Sequence, residues 1–382
     1  MRTRPHFEKW HIQKLFSLAL MVLLAGCVST PEPAQELKPL VYPSPPDPAR
    51  FVYERTIRSN ADVEPAKEED SFDMAGMLTG EEGMNAEGLN KPFGIVVVNG
   101  KIYVSDTVKR AILLFDPANG RFKEIGKEDP GILSKPLGMA ADAAGNIYVM
   151  DASKKRVMSY DAEGNFLRSI GTAEQFDRPS AVAVNPEGTK LFAVDTGSAR
   201  GKDEFHRIRV FNPKTGEHLF DMGSRGSGEG QFNLLKAAAV GPDGLLYVVD
   251  SGNFRIQIFD QTGKFIRKFG EVGRQLGQFA RPKGVALDKD GNIYVSDASH
   301  GNFQIFNNQG ELLLFVGDRG KESDRASYML PAMITLDADG RVYMVDQGYR
   351  KVDVFRPANL KESEGALGVA FEKLKLIKPK EK

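Results

Sequence analysis

The chain has 382 residues, with 51 basic and 51 acidic side chains, 27% charged residues and a single cysteine. The even charge balance and the lack of a basic block argue against nucleic-acid binding. One cysteine excludes an intrachain disulfide.

The first element is a leader. Arg2, Arg4, Lys9 and Lys14 precede an apolar run of 12 residues, Leu15 to Gly26. That run is too short for a membrane-spanning helix, which needs about 20 residues. A charged start, a short apolar core and small residues at the end describe a secretory signal peptide. The junction Leu24-Ala25-Gly26-Cys27 resembles the lipobox of bacterial lipoproteins. The resemblance implies removal of residues 1–26 and lipidation of Cys27, which ties the protein to a membrane surface without crossing it. An ordinary signal peptide and an uncleaved anchor are the alternatives. The mature chain would carry 47 basic and 50 acidic residues, a net of −3, and no thiol. Thiol catalysis and cysteine metal sites are then excluded. In such lipoproteins an aspartate after the cysteine retains the protein at the inner membrane. Val28 stands there, so the resemblance implies the outer membrane, with the protein facing the periplasm or the cell surface.

Residues 27–50 follow as a tether, with seven prolines between Pro31 and Pro48; such density favours extended, semi-rigid chain. From residue 51 to residue 357 one unit repeats six times. Its clearest piece reads IYVSD at Ile102, IYVMD at Ile147, LFAVD at Leu191, LYVVD at Leu246, IYVSD at Ile293 and VYMVD at Val342. The closing aspartates, Asp106, Asp151, Asp195, Asp250, Asp297 and Asp346, recur every 44 to 55 residues. A repeat of this length fixes the architecture. Each unit predicts four strands: one opening on Pro or its equivalent, the aspartate strand, one ending on an aromatic (Phe115, Tyr160, Phe211, Phe259, Phe306, Phe355), and one of the FLRSIG type. Turn signals such as Ala144-Gly145-Asn146 and Asp290-Gly291-Asn292 join the first two as hairpins. The aspartate strand does not alternate, so both its faces are expected to be buried, as in radially stacked blades. The prediction is an all-β, six-bladed β-propeller of four-stranded antiparallel blades. The sixth unit lacks a fourth strand after Phe355; Phe51 to Ile57 is expected to supply it, with Ala366 to Phe371 as the alternative. Residues 358–382 read as a charged C-terminal tail, either an amphipathic helix or frayed.

The motifs Arg281-Pro282-x-Gly284-Val285-Ala286-x-Asp288 and Gly291-x-Ile293-Tyr294-Val295-x-Asp297 resemble NHL repeats. So do Tyr247 to Asp250 with Asn253-Phe254-Arg255-Ile256, and the connectors Gly228 to Phe232 and Leu276 to Phe279. The resemblance covers roughly residues 91–356. NHL propellers are commonly interaction platforms, and some are zinc-dependent lyases; calcium-dependent lactonases share the architecture.

The six aspartates fall on one rim. They read as structural, each pairing with a basic residue across the tight loop (Arg156, Arg207, Arg255 and Lys351 occupy that slot) or capping the turn. A cation-binding carboxylate crown is the alternative. The same rim carries Lys91, Lys135, Arg178, Lys236, Arg281 and Lys283 in the loops entering the first strands, so both signs of charge are expected there. The largest insertion, Thr196 to His206, adds Arg200, Lys202, Phe205 and His206, with His300 on the same rim. These residues are the binding candidates. A second candidate is the acidic connector Ser59 to Asn90, read first as a solvated loop. The mature chain has only His206, His218 and His300, too few in one place for a zinc site of three or four ligands. The strand-one positions Val96, Ala183, Ala239 and Ala286 are apolar, unlike a lactonase channel. No catalytic set, cofactor or metal is expected; calcium or zinc would come only with a lyase or lactonase alternative. The expected function is a protein-binding scaffold, held to an envelope membrane by its lipid, whose partner is another envelope protein, a peptide or an oligosaccharide.

Overall fold

The computed structural model describes residues 38–65, 87–197 and 206–377. Cys27, the leader, Arg200, Lys202 and Phe205, and most of the acidic connector lie outside them. Residues from Leu40 onward belong to one compact unit. No helix among the described residues is long and apolar enough to cross a membrane.

Six antiparallel sheets stand in chain order as blades. The first consists of Pro92–Val98, Lys101–Asp106, Ala111–Asp116 and Arg121–Ile125, and the next four repeat this order. Apart from Lys101, which opens the first of them, the aspartate strands are buried along their whole length, as in Ile147–Asp151 and Ile293–Asp297. Blades cover each other on both sides, so these strands carry apolar side chains on both faces. At the hairpin between the first two strands Gly145, Gly244, Gly291 and Gly340 have φ between +76° and +84°, a conformation glycine takes at no steric cost.

The sixth blade closes the ring without a covalent bond. Phe51–Ile57 pairs antiparallel with Lys351–Pro357, Phe51 opposite Pro357 and Ile57 opposite Val352. Val41–Tyr42 then adds a fifth strand to this sheet. The tether expected to run to Arg50 therefore reaches the sheet sooner, because Val41 and Tyr42 satisfy the free edge of the closing strand and the Tyr42 ring packs on Phe355. The alternative closing segment is a helix, α1 (Gly365–Leu374). Its Leu367 and Phe371 are buried, with the Arg55 guanidinium 3.7 Å from the Phe371 ring centre. This part of the tail is thus neither strand nor frayed. A fully buried ion pair joins it to the closure: Arg341 donates to Glu54 at 2.8 Å and to the Glu364 carbonyl at 2.8 Å.

The innermost strands converge on the axis, and small residues let them approach. A Cβ on Gly94 would lie 2.4 Å from the Leu137 carbonyl oxygen, and one on Gly138 2.5 Å from the Ala181 Cβ. Serine completes the contact. Ser105 Oγ accepts from Gly94 N–H and donates to the Leu137 carbonyl of the next blade; Ser296 does the same between Gly284 and Ala332. We predict that Gly138→Val lowers stability by about 3 kcal/mol, the upper end for overpacking a tight core. Urea denaturation with an unchanged midpoint would show that the inner ring has slack.

Candidate functional site: the basic mouth of the channel

The six aspartates are all buried, with no exposed surface. Register explains this: each pairs with the residue that opens strand one, as Asp106 with Pro92 and Asp297 with Pro282. The carboxylate thus lies beneath the loop entering its blade. Proline offers no N–H, so the two N–H groups before it point at the carboxylate. Asp297 accepts from Ala280 and Arg281 N–H, both at 2.8 Å, and from Ser299 and His300 N–H across the other loop. Asp106 takes Asn90, Lys91, Val108 and Lys109 in the same way, and Asp151 takes Ser134, Lys135, Ser153 and Lys154. Asp195 and Asp346 follow with three N–H groups each.

The expected ion pair across the tight loop forms in one blade among the described residues, between Arg255 and Asp250 at 2.8 Å. The other basic residues of that slot turn elsewhere: Arg207 to Asp221 and Lys351 to Asp353. Backbone N–H groups already saturate those carboxylates, which therefore need no cation. A carboxylate crown open to ligands is excluded for the same reason. Burial raises the pKa of Asp195 despite its three N–H donors.

This alters the charge of the rim. With the aspartates buried and saturated, the expected mixture of signs becomes a basic mouth. A cavity of about 400 Å³ opens there, lined by Lys91, Lys135, Arg178, Lys236 and Lys283. Lys236 and Lys283 belong to their first strands and are half-buried; the other three stand exposed before theirs. None of the five side chains closes an ion pair or donates a hydrogen bond among the described residues. The one carboxylate on the wall, Asp177, is itself engaged. Burial lowers the pKa of Lys236, helped by Arg178 and Arg281. Burial, and then repulsion from Arg281 and Lys236, bring Lys283 down to about 8. Phe93, Leu137 and Met333 form the apolar part of the cavity. Val96, Ala183, Ala239 and Ala286 line a second, separate cavity of about 200 Å³ among the later residues of the same strands.

The histidines do not assemble. His206 is buried, and neither ring nitrogen has a hydrogen-bond partner among the described residues. His300 gives its backbone N–H to Asp297, and exposed His218 pairs with Asp221. No three His, Cys, Asp or Glu side chains among the described residues could share a metal ion.

Comparison with known proteins agrees with this geometry. A family described as a 6-bladed beta-propeller matches residues 89–196, and NHL repeats match residues 232–259 and 279–306. The chain is an NHL-repeat six-bladed β-propeller. No curated protein matches its sequence significantly. Among solved structures, a protein from Bacteroides thetaiotaomicron is 17% identical, with 70% of each chain covered and a TM-score of 0.56. A gluconolactonase from Xanthomonas campestris is 17% identical over 70% of this chain and 86% of its own, with a TM-score of 0.54. A streptogramin B lyase is 14% identical over 70% and 94%, with a TM-score of 0.51. These likenesses establish the fold alone.

The NHL propeller's aspartates and its lysines give opposite expectations. Asp297→Ala leaves four N–H groups without their acceptor and should cost about 2–4 kcal/mol, the scale of orphaned buried donors. Calorimetry with an unshifted transition would return the aspartates to a functional role. Lys283→Met removes a repelled charge and should raise the melting temperature at pH 7 by about 2 °C. The sign follows from linkage: the unfolded chain holds this proton up to the ordinary lysine value of 10.5 and the folded chain only to about 8. Wild type therefore gains stability relative to the variant as pH rises from 8 to 10. Melting curves at pH 7, 9 and 10 check this; a gap that widens with pH contradicts it.

Proposed function

We propose that this NHL propeller is a lipid-anchored binding protein of the bacterial cell envelope that docks a partner protein on the face carrying the basic mouth. The anchor rests on the sequence before and at Cys27. The prolines after it suit a stalk that holds the propeller off the bilayer. The observation that carries the docking reading is the ring of five cations, unpaired among the described residues. Lys236 and Lys283 stand in first strands, and Lys91, Lys135 and Arg178 on entering loops whose N–H groups the buried aspartates bind. A preorganised face loses little entropy on binding, and its uniform charge would steer an acidic partner toward it. A metal-dependent lyase or lactonase is the second reading, supported by likeness of fold.

The test uses the protein extracted from its native envelope in mild detergent, with native mass measurement. Wild type should carry a lipid and a partner; Cys27→Ala should lack the lipid. The double variant Lys135→Glu, Arg178→Glu should keep the lipid and the circular dichroism of the fold while retaining ~10-fold less partner, the effect of reversing charges at a steered interface. A partner that stays on the charge-reversed protein would place docking elsewhere. A bare propeller with a stoichiometric metal ion would favour the enzymatic reading.

A further inference from the structure

The cavity inside this mouth has the dimensions of a small-ligand site. Its volume of about 400 Å³ lies within the usual range for such pockets, about 300–1,000 Å³. Its charge is one-sided. Lys91, Lys135, Arg178, Lys236 and Lys283 come from five successive blades, the last two reaching in from their strands, whereas the sixth blade offers only the uncharged Pro331, Ala332, Met333 and Gln347. Burial, and then the neighbouring cations, lower the pKa of both lysines. A ligand with several negative charges would relieve that repulsion.

The type of anion follows from which donors remain. Phosphate sites typically use a nest of backbone N–H groups. Here the N–H groups of Arg178 and of Lys135, at the start of their blades, already serve Asp195 and Asp151. What remains are mainly ammonium groups, point charges on flexible stems, carried by different blades. Such an arrangement suits several separate anionic groups better than one compact tetrahedral anion.

We infer that the channel mouth binds a small polycarboxylate, with its carboxylates toward Arg178, Lys236 and Lys283 and its uncharged side against the sixth blade. This goes beyond the docking proposal and needs no protein partner. Isothermal titration of the intact protein in detergent, at pH 7 and near-physiological salt, tests it with citrate, succinate, inorganic phosphate and a peptide ending in three glutamates. Citrate should bind one per propeller, at least ~10-fold more tightly than phosphate, which corresponds to about 1.4 kcal/mol. Lys236→Met with Lys283→Met should weaken citrate at least ~10-fold while leaving the protein folded, since each substitution removes a repelled charge. The inference fails if neither citrate nor succinate binds, if phosphate binds as well as citrate, or if the double variant binds citrate unchanged. A peptide that binds more tightly than citrate would make the cavity a macromolecular docking site instead. The two ideas separate cleanly. Partner loss without citrate binding sinks this inference alone, and citrate binding without a partner sinks the docking reading alone.

Discussion

A carboxylate buried at the end of the second strand, with its charge met by backbone N–H groups, is the interaction on which this propeller depends. A lone buried carboxylate is costly. Three or four N–H donors offset that cost, and in doing so fix two loops at once: the one entering the blade and the one leaving the aspartate strand. Five blades hold their carboxylate this way; in the fourth, Asp250 accepts one backbone N–H, from Asn233, and the side-chain donors of Asn253, Arg255 and Gln257. The device supplies rigidity where a propeller has its least regular backbone.

The remaining letters of the repeated IYVSD carry the rest of the blade. Its Ile and Val fill the two interfaces with neighbouring blades. Its Tyr reaches the opposite face: Tyr294 donates to Asp288 in the hairpin turn, and Tyr103 to the Ala162 carbonyl of the following blade. Its Ser links successive inner strands. Ring closure uses the same backbone pairing and adds a buried Glu54–Arg341 pair under helix α1. Such a pair contributes little net stability, but it commits the N-terminal strand and the C-terminal helix to one arrangement.

Saturating the aspartates has an electrostatic consequence. The negative half of the rim's charge is buried and hydrogen-bonded, and the positive half is left around the channel. Lys236 and Lys283 sit there against their own preference for water and for counter-charge. Clefts lined by one sign of charge concentrate ligands of the other, and titratable groups held under strain mark working surfaces more often than structural ones. The channel mouth meets both descriptions.

Much of the architecture was legible in the sequence, because a propeller is periodic: six aspartates, six aromatics, a Gly turn after the first strand and a missing last strand that Phe51 to Ile57 could supply. The basic residues of the mouth were also visible as a recurring position before or within strand one. The serine link was not singled out, although Gly94 with Ser105 and Gly284 with Ser296 form a pattern. The sequence by itself determined the repeat, the strand order and the residues available to each rim, since these follow from local pattern and spacing. Only the tertiary structure decided which charges stay available. That depends on a carboxylate and two loops, distant in sequence, meeting beneath the rim, and on six inner strands converging so that cations from separate blades surround one cavity.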